Sequence, residues 1–232
     1  MLLQNKWRRL LESFDIDEKI INQTFREIVA VYSHQNRYYH NLKHIQEMLQ
    51  IVNNLSSKYK LEQSSLQILE FATWFHDIVY DTQAHDNEEK SANYARDLLS
   101  LLNVPNSTID NTCRLILTTK HHKASSDDDI NTQILLDADL AILGSDAQRY
   151  REYMLAIRQE YAWVQEDEYN TLRSRVLQSF LQRASIFLTS ELHHQLELTA
   201  RNNIKQEIAG GQIPDFLKKS GISGISISNS NL

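Results

Sequence analysis

The sequence predicts an all-α fold, a single helical bundle of about ten helices. Apolar residues recur at intervals of three and four almost from end to end, as in Ile16, Ile20, Ile21, Phe25 and Ile28, and this is the period of a helix. The 232 residues include only two prolines and five glycines, so few positions interrupt a helix. No segment alternates apolar and polar residues convincingly, as a half-buried strand would.

Interruptions of this period divide the chain into its predicted elements. Helices are expected near residues 2–14, 17–33, 42–55, 62–81, 87–102, 107–122, 129–143, 146–163, 167–188 and 190–209. Asn41, Asn87 and Ser107 stand where three of them begin, and such residues are favoured N-caps. Gly144 is expected to end the seventh helix. Residues 1–209 are therefore the predicted domain, and residues 210–232, which lose charge and periodicity, a poorly packed C-terminal tail.

The predicted fourth helix is apolar around nearly its whole circumference. Between Ser65 and Tyr80 the apolar side chains include Leu66, Leu69 and Trp74 and leave no wide polar face. A helix that is hydrophobic on all sides is buried inside a protein. We therefore expect this helix at the centre of the bundle.

Composition narrows the classes of function and partner. Lysine and arginine number 24 against 30 acidic residues, a net charge of -6, which argues against general binding of nucleic acid or of an anionic membrane. The single Cys113 excludes an internal disulfide. The amino terminus lacks the apolar core of a signal peptide, and no apolar run is long enough to span a bilayer. A cytoplasmic protein is the expectation.

Two of the most apolar stretches carry ionisable side chains in their middles. His76 and Asp77 lie inside ATWFHDIVY, and Asp137 and Asp139 inside ILLDADLAIL. A lone buried histidine is most often satisfied by a backbone carbonyl, but packing alone poorly explains a histidine beside an aspartate. Buried carboxylates are normally paired or bound to a metal. A divalent cation between the two stretches would neutralise them.

The segment YYHNLKHI adds His40 and His44, so the chain offers a histidine, a His-Asp doublet and a distant aspartate in that order. This order resembles the HD superfamily of metal-dependent phosphohydrolases, over roughly residues 20–205. The segments RYYHNLKHI, WFHDIVYD, DNEEKSA and LDADLAILG resemble a bacterial group of predicted HD phosphohydrolases. The resemblance implies an HD-type helical domain that hydrolyses a small-molecule phosphate ester, with nucleotides as the leading substrate class.

The resemblance also implies a ligand set for a divalent metal ion, which would be Mn, Fe, Co, Ni, Zn or Mg. Its members would be His40, His76, Asp77 and Asp139, and Asp77 is also the predicted catalytic residue. His44 follows His40 by one helical turn, so it is either an outer partner of the site or an alternative ligand.

Three further residues near these motifs have two interpretations each. Asp137 is about 200° around the helix from Asp139 and cannot face the same ion. It is expected to pair with a backbone or basic donor, an arginine of another helix being the leading structural alternative. His121 and His122 either hold a second metal ion, as the resemblance implies, or form a solvated helix end.

Arg37 and Lys120 are the predicted contacts for a substrate phosphate, since both cations bind such groups, although Lys120 suits a surface role equally well. The chain is also compatible with a homo-oligomer. Two other functions stay open: a di-iron centre for oxygen-dependent oxidation, and a noncatalytic helical binding protein with a structural metal site.

Overall fold

Helices make up the regular structure of the computed structural model, which describes residues 2–122 and 129–210. Ten α-helices and two short 3₁₀ turns lie in these ranges, and no strand does. The α-helices are α1 Leu2–Leu11, α2 Glu18–Tyr32, α3 Leu42–Lys58, α4 Gln63–Phe75, α5 Asn87–Leu101, α6 Asn106–Thr118, α7 Ile130–Leu140, α8 Ala147–Glu160, α9 Glu166–Leu181 and α10 Ser190–Gly210. The predicted all-α bundle is confirmed. The predicted tail, apart from Gly210, lies outside the described residues.

Helix α4 is central, as its apolar sequence predicts. It contacts α3, α5, α6 and α7. Trp7 from α1 packs edge-on against Phe71, Trp74 and Phe75, with ring centroids 5.6 to 6.3 Å apart, an arrangement that aromatic rings favour. The end of α4 is therefore held deep in the protein, where the His-Asp doublet begins.

Helix α4 ends at Phe75, so the expected continuation to residue 81 is wrong. Groups from elsewhere in the chain bind the backbone beyond this point. The Arg37 guanidinium donates to the carbonyls of Asp77, at 2.7 Å, and of Ile78, at 2.9 Å. The Ser91 hydroxyl accepts from the amide of Val79. The doublet consequently lies in the turn after the helix rather than inside it.

Helix α9 ends at Leu181, and the expected continuation to residue 188 is also wrong. The amides of Ile186 and Phe187 donate to the carboxylate of Glu197 on α10. Because a carboxylate from another helix satisfies these amides, the segment stays non-helical despite its helical apolar spacing. Helix α10 therefore anchors the segment that leads into it.

The expected N-caps have mixed outcomes. Asn41 caps α3, and its side chain accepts from the amide of Lys43. Asn87 is the first residue of α5 rather than its cap, and its side chain exchanges two hydrogen bonds with the backbone of Asp81. Pro105 precedes α6, which places Ser107 inside that helix. The Asn41 cap lies between His40, which precedes α3, and His44, which is in its first turn.

Gly144 is expected to end the seventh helix, but α7 ends at Leu140 and Gly144 ends the short turn that follows it. Helix α7 passes into a 3₁₀ turn, Ala141–Gly144, which packs on α10. A Cβ atom at Gly144 would lie 2.6 Å from the Leu196 Cβ. Only glycine allows this approach, which fixes the carboxyl end of α7 against α10. Among the described helices, none is both long and apolar enough to cross a membrane.

Candidate metal centre

The predicted ligands come from segments that the helix packing brings together. Helices α3, α4 and α7 pack against one another in all three pairings. His40 precedes α3 and His44 lies in its first turn, while the doublet follows α4 and Asp139 lies in the last turn of α7. Residues far apart in the chain thus meet where three helices end or begin.

Three side chains form the innermost group. The Nε2 atom of His44 lies 3.3 Å from the Nε2 atom of His76 and 3.2 Å from Oδ1 of Asp139. One ligand atom from each residue lies within 4.8 Å of the other two. The side chains of His44 and His76 are only 2% and 1% exposed. Two buried imidazoles that converge on a carboxylate are a donor set suited to a transition metal.

Asp77 and His40 extend this group toward one side. Oδ2 of Asp77 lies 3.0 Å from Nε2 of His76, 4.0 Å from Nε2 of His44 and 3.9 Å from Nε2 of His40. The tightest group therefore contains His44, which the sequence offered only as an alternative ligand, and His40 lies further out. A ligand role for His40 stays a prediction.

His122 approaches the group from the turn after α6. Its Nε2 atom lies 2.7 Å from Oδ2 of Asp139, so the two oxygens of Asp139 face different histidines. His122 has a positive φ of 45°, a conformation that is uncommon outside glycine and frequent at functional sites. His121 is exposed, and within the described ranges no hydrogen bond or ion pair joins its ring to the predicted ligands. Of the two histidines, His122 is the one that reaches the group.

Glu160 is part of the site and was missed by the sequence reasoning. It is the last residue of α8, its side chain is fully buried, and Oε2 lies 2.7 Å from Nδ1 of His40. The same oxygen accepts from the hydroxyl of Tyr80 at 3.1 Å, and the Tyr80 ring stacks on His40 with centroids 4.1 Å apart. Glu160 ends an amphipathic helix distant in the chain, so no local pattern separates it from surface glutamates.

Burial and neighbouring charges shift the pKa values of the group in opposite directions. Burial favours the neutral form of Asp77, but His76 and His40 outweigh it and lower the pKa of this carboxyl. Burial likewise opposes ionisation of Asp139, and hydrogen bonds from His122 and His44 lower its pKa well below the usual range. Burial disfavours protonation of His76, but Asp77 raises its pKa to about 9. Without a cation, protons therefore balance the buried carboxylates.

A metal ion bound here would compete with these protons. A histidine must be neutral to ligate, and the pKa of His76 is raised to about 9. We expect Zn²⁺ affinity to fall about tenfold for each pH unit between roughly pH 8 and pH 7, with about one proton released on binding. Calorimetry in two buffers of different ionisation enthalpy measures this number. An affinity that stays constant over that range would contradict the expectation.

Asp137 lies two residues from Asp139 and serves a different purpose. It is fully buried and accepts from the amides of Leu188 and Thr189, both at 2.7 Å, and from the Thr189 hydroxyl at 2.6 Å. Burial raises its pKa to about 6, and these hydrogen bonds oppose the shift. The expected pairing with backbone donors is confirmed, and the alternative of an arginine partner is wrong.

Both predicted phosphate contacts have protein partners. Besides its bonds to Asp77 and Ile78, Arg37 donates to the carbonyl of His40 at 3.1 Å. Lys120 donates to the carbonyl of His85 and pairs with Glu89. Arg37 thus joins the backbone around His40 to the doublet turn. Phosphate binding by either cation stays a prediction.

Three side chains of the group are partly exposed to solvent. The side chains of His122, His40 and Asp77 are 26%, 18% and 17% exposed. A cavity of about 990 Å³ is lined by Arg37, Tyr80 and Glu160 on the Nδ1 side of His40. A second cavity, of about 240 Å³, lies between α8, α9 and α10, and none of the predicted metal ligands lines either cavity.

Comparison of the chain with protein-family models, with curated proteins and with solved structures found no match. The function is therefore inferred from the geometry of the site and from the motifs in the sequence.

Proposed function

We propose that this protein is a metal-dependent phosphohydrolase of the HD type that acts on a phosphate ester, with nucleotides as the leading substrate class. The observation that carries the proposal is the convergence of His44, His76 and Asp139 within 4.8 Å. Asp77 adds a second carboxylate 3.0 Å from His76. Buried charges of this kind are expensive unless they are compensated, and a cation compensates both carboxylates together.

The residues have distinct roles in this proposal. His44, His76, Asp77 and Asp139 would hold the cation, His40 would add a further nitrogen ligand on the Asp77 side, and His122 would lie at the edge of the site. A bound divalent cation polarises a phosphoryl oxygen and lowers the pKa of water. Asp77 is the proposed catalytic residue because its ionised carboxylate lies at the solvent edge, where it can accept a hydrogen bond from an attacking water molecule and orient it.

Elemental analysis followed by a phosphatase screen tests the proposal. The protein would be purified from metal-supplemented medium and assayed on nucleotides and simple phosphoesters with Mn²⁺, Fe²⁺, Co²⁺, Ni²⁺, Zn²⁺ and Mg²⁺. We expect at least one ion per chain and a phosphate release that a chelator abolishes and added metal restores. His76→Ala is the matched control and should lose both. A loaded protein that releases no phosphate in any pairing would contradict the proposal.

A second candidate function is oxygen-dependent oxidation at a di-iron centre. It is favoured by the number of converging donors, because four imidazoles and two carboxylates could serve two ions: His40, His44, His76, Asp77, His122 and Asp139. This candidate predicts two iron ions per chain, a redox-active spectrum and oxygen consumption. A noncatalytic protein with a structural metal predicts metal-dependent stability without turnover. Oxygen consumption and metal-dependent stability, measured beside the phosphatase screen, separate all three.

A further inference from the structure

The carboxylate of Glu160 divides its two oxygens between different donors. Oε1 accepts from the backbone amides of Tyr39, at 2.7 Å, and His40, at 3.0 Å. Oε2 faces Nδ1 of His40, at 2.7 Å, and the Tyr80 hydroxyl, at 3.1 Å. An ionised carboxylate is an acceptor only, so all four partners must donate. The proton of a neutral His40 ring is therefore on Nδ1.

This tautomer determines what His40 presents to the candidate metal centre. With the proton on Nδ1, the lone pair of a neutral ring is on Nε2. That atom lies on the site side of the ring, 3.9 Å from Oδ2 of Asp77. The stacked ring of Tyr80 and the Arg37 bond to the His40 carbonyl restrict the ring and its backbone. The histidine is thus held in one orientation from three directions.

We propose that Glu160 is a positioning residue that selects the Nδ1–H tautomer of His40 and so directs the Nε2 lone pair at the cation. The inference rests on the proposed metal site, and it assigns Glu160 no contact with metal or substrate. Outer partners of this kind commonly change metal affinity by about 10-fold to 100-fold when they are replaced.

The substitution Glu160→Gln tests the tautomer directly. The amides of Tyr39 and His40 require an oxygen at the Oε1 position, so the new amide group must take the Oε2 position. There it donates, and Nδ1 of His40 must accept. The proton moves to Nε2, which can no longer ligate. We expect Zn²⁺ affinity, measured by chelator competition, to fall about 10-fold to 100-fold.

A double-mutant cycle separates positioning from a general structural effect. In a His40→Ala background, Glu160→Gln should change Zn²⁺ affinity by less than about twofold, because the residue through which Glu160 acts is gone. Equal losses in both backgrounds, or no loss from His40→Ala alone, would overturn the inference. Glu197→Gln is the matched control, since Glu197 also accepts backbone amides but contacts none of the predicted ligands. It should leave the affinity unchanged.

A measurement on the unsubstituted protein does not depend on the folding of any variant. Nitrogen-15 NMR of the metal-free protein, at a pH where the ring is neutral, should find the His40 proton on Nδ1. A proton on Nε2 would overturn the inference. Both readouts are independent of turnover, so a protein without phosphatase activity would contradict the proposed function and leave this inference testable.

Discussion

Replacing Asp139 with asparagine is expected to remove the metal and the activity while leaving the helical fold intact. Asp139 is shared between His44 and His122, with a different oxygen facing each. The amide keeps the shape but loses the charge that compensates a cation. We expect bound metal below about a tenth of an ion per chain and turnover lower by on the order of 10³-fold. Elemental analysis and the phosphatase assay measure the two losses.

The fold of the Asp139→Asn variant would be checked by far-UV circular dichroism, which should match that of the unsubstituted protein. Full metal content with unchanged turnover would show that Asp139 is not a ligand. Loss of metal together with loss of helix would leave the effect structural and would also contradict the expectation.

The substitution Asp137→Ala is expected to have the opposite outcome. It removes the acceptor for the buried amides of Leu188 and Thr189 and for the Thr189 hydroxyl. A buried donor without a partner costs about 1–3 kcal/mol. We expect the free energy of unfolding to fall by about 3 kcal/mol. Urea denaturation measures it, with a chelator present so that metal binding does not contribute.

Metal content is the control for this second substitution. The folded Asp137→Ala variant should keep its metal, because Asp137 makes its hydrogen bonds with the segment before α10 and none with the ligand group. The two aspartates are two residues apart, so each variant controls for the other. If both variants lost metal equally, the division of roles between the aspartates would be wrong.

The helical character of the chain can be predicted from local sequence. The carboxyl ends of α4 and α9 cannot. Apolar spacing predicts α4 and α9 correctly over most of their lengths. Their carboxyl ends differ because Arg37 and Glu197 bind backbone groups just beyond them. These partners come from distant parts of the chain, so no window of sequence around either helix end contains them.

The candidate site likewise contains some residues that the sequence identifies and others that only the packing reveals. His76, Asp77 and Asp139 attract notice because they interrupt apolar runs, and that signal exists in the sequence alone. Glu160 gives no such signal, because α8 is amphipathic and the residue becomes buried only when α8 meets the turn before α3. The choice between His44 and His40 as the inner histidine also depends on how α3 packs against α7. Spacing within the motif does not contain this information.

The candidate ligands meet only after α3, α4 and α7 have packed, so the unfolded chain offers a cation no comparable site. An ion that binds the native state alone shifts the folding equilibrium by mass action, by about 2.7 kcal/mol when its free concentration is 100 times its dissociation constant. The supply of metal would then govern how much folded protein persists, in addition to whether that protein is active.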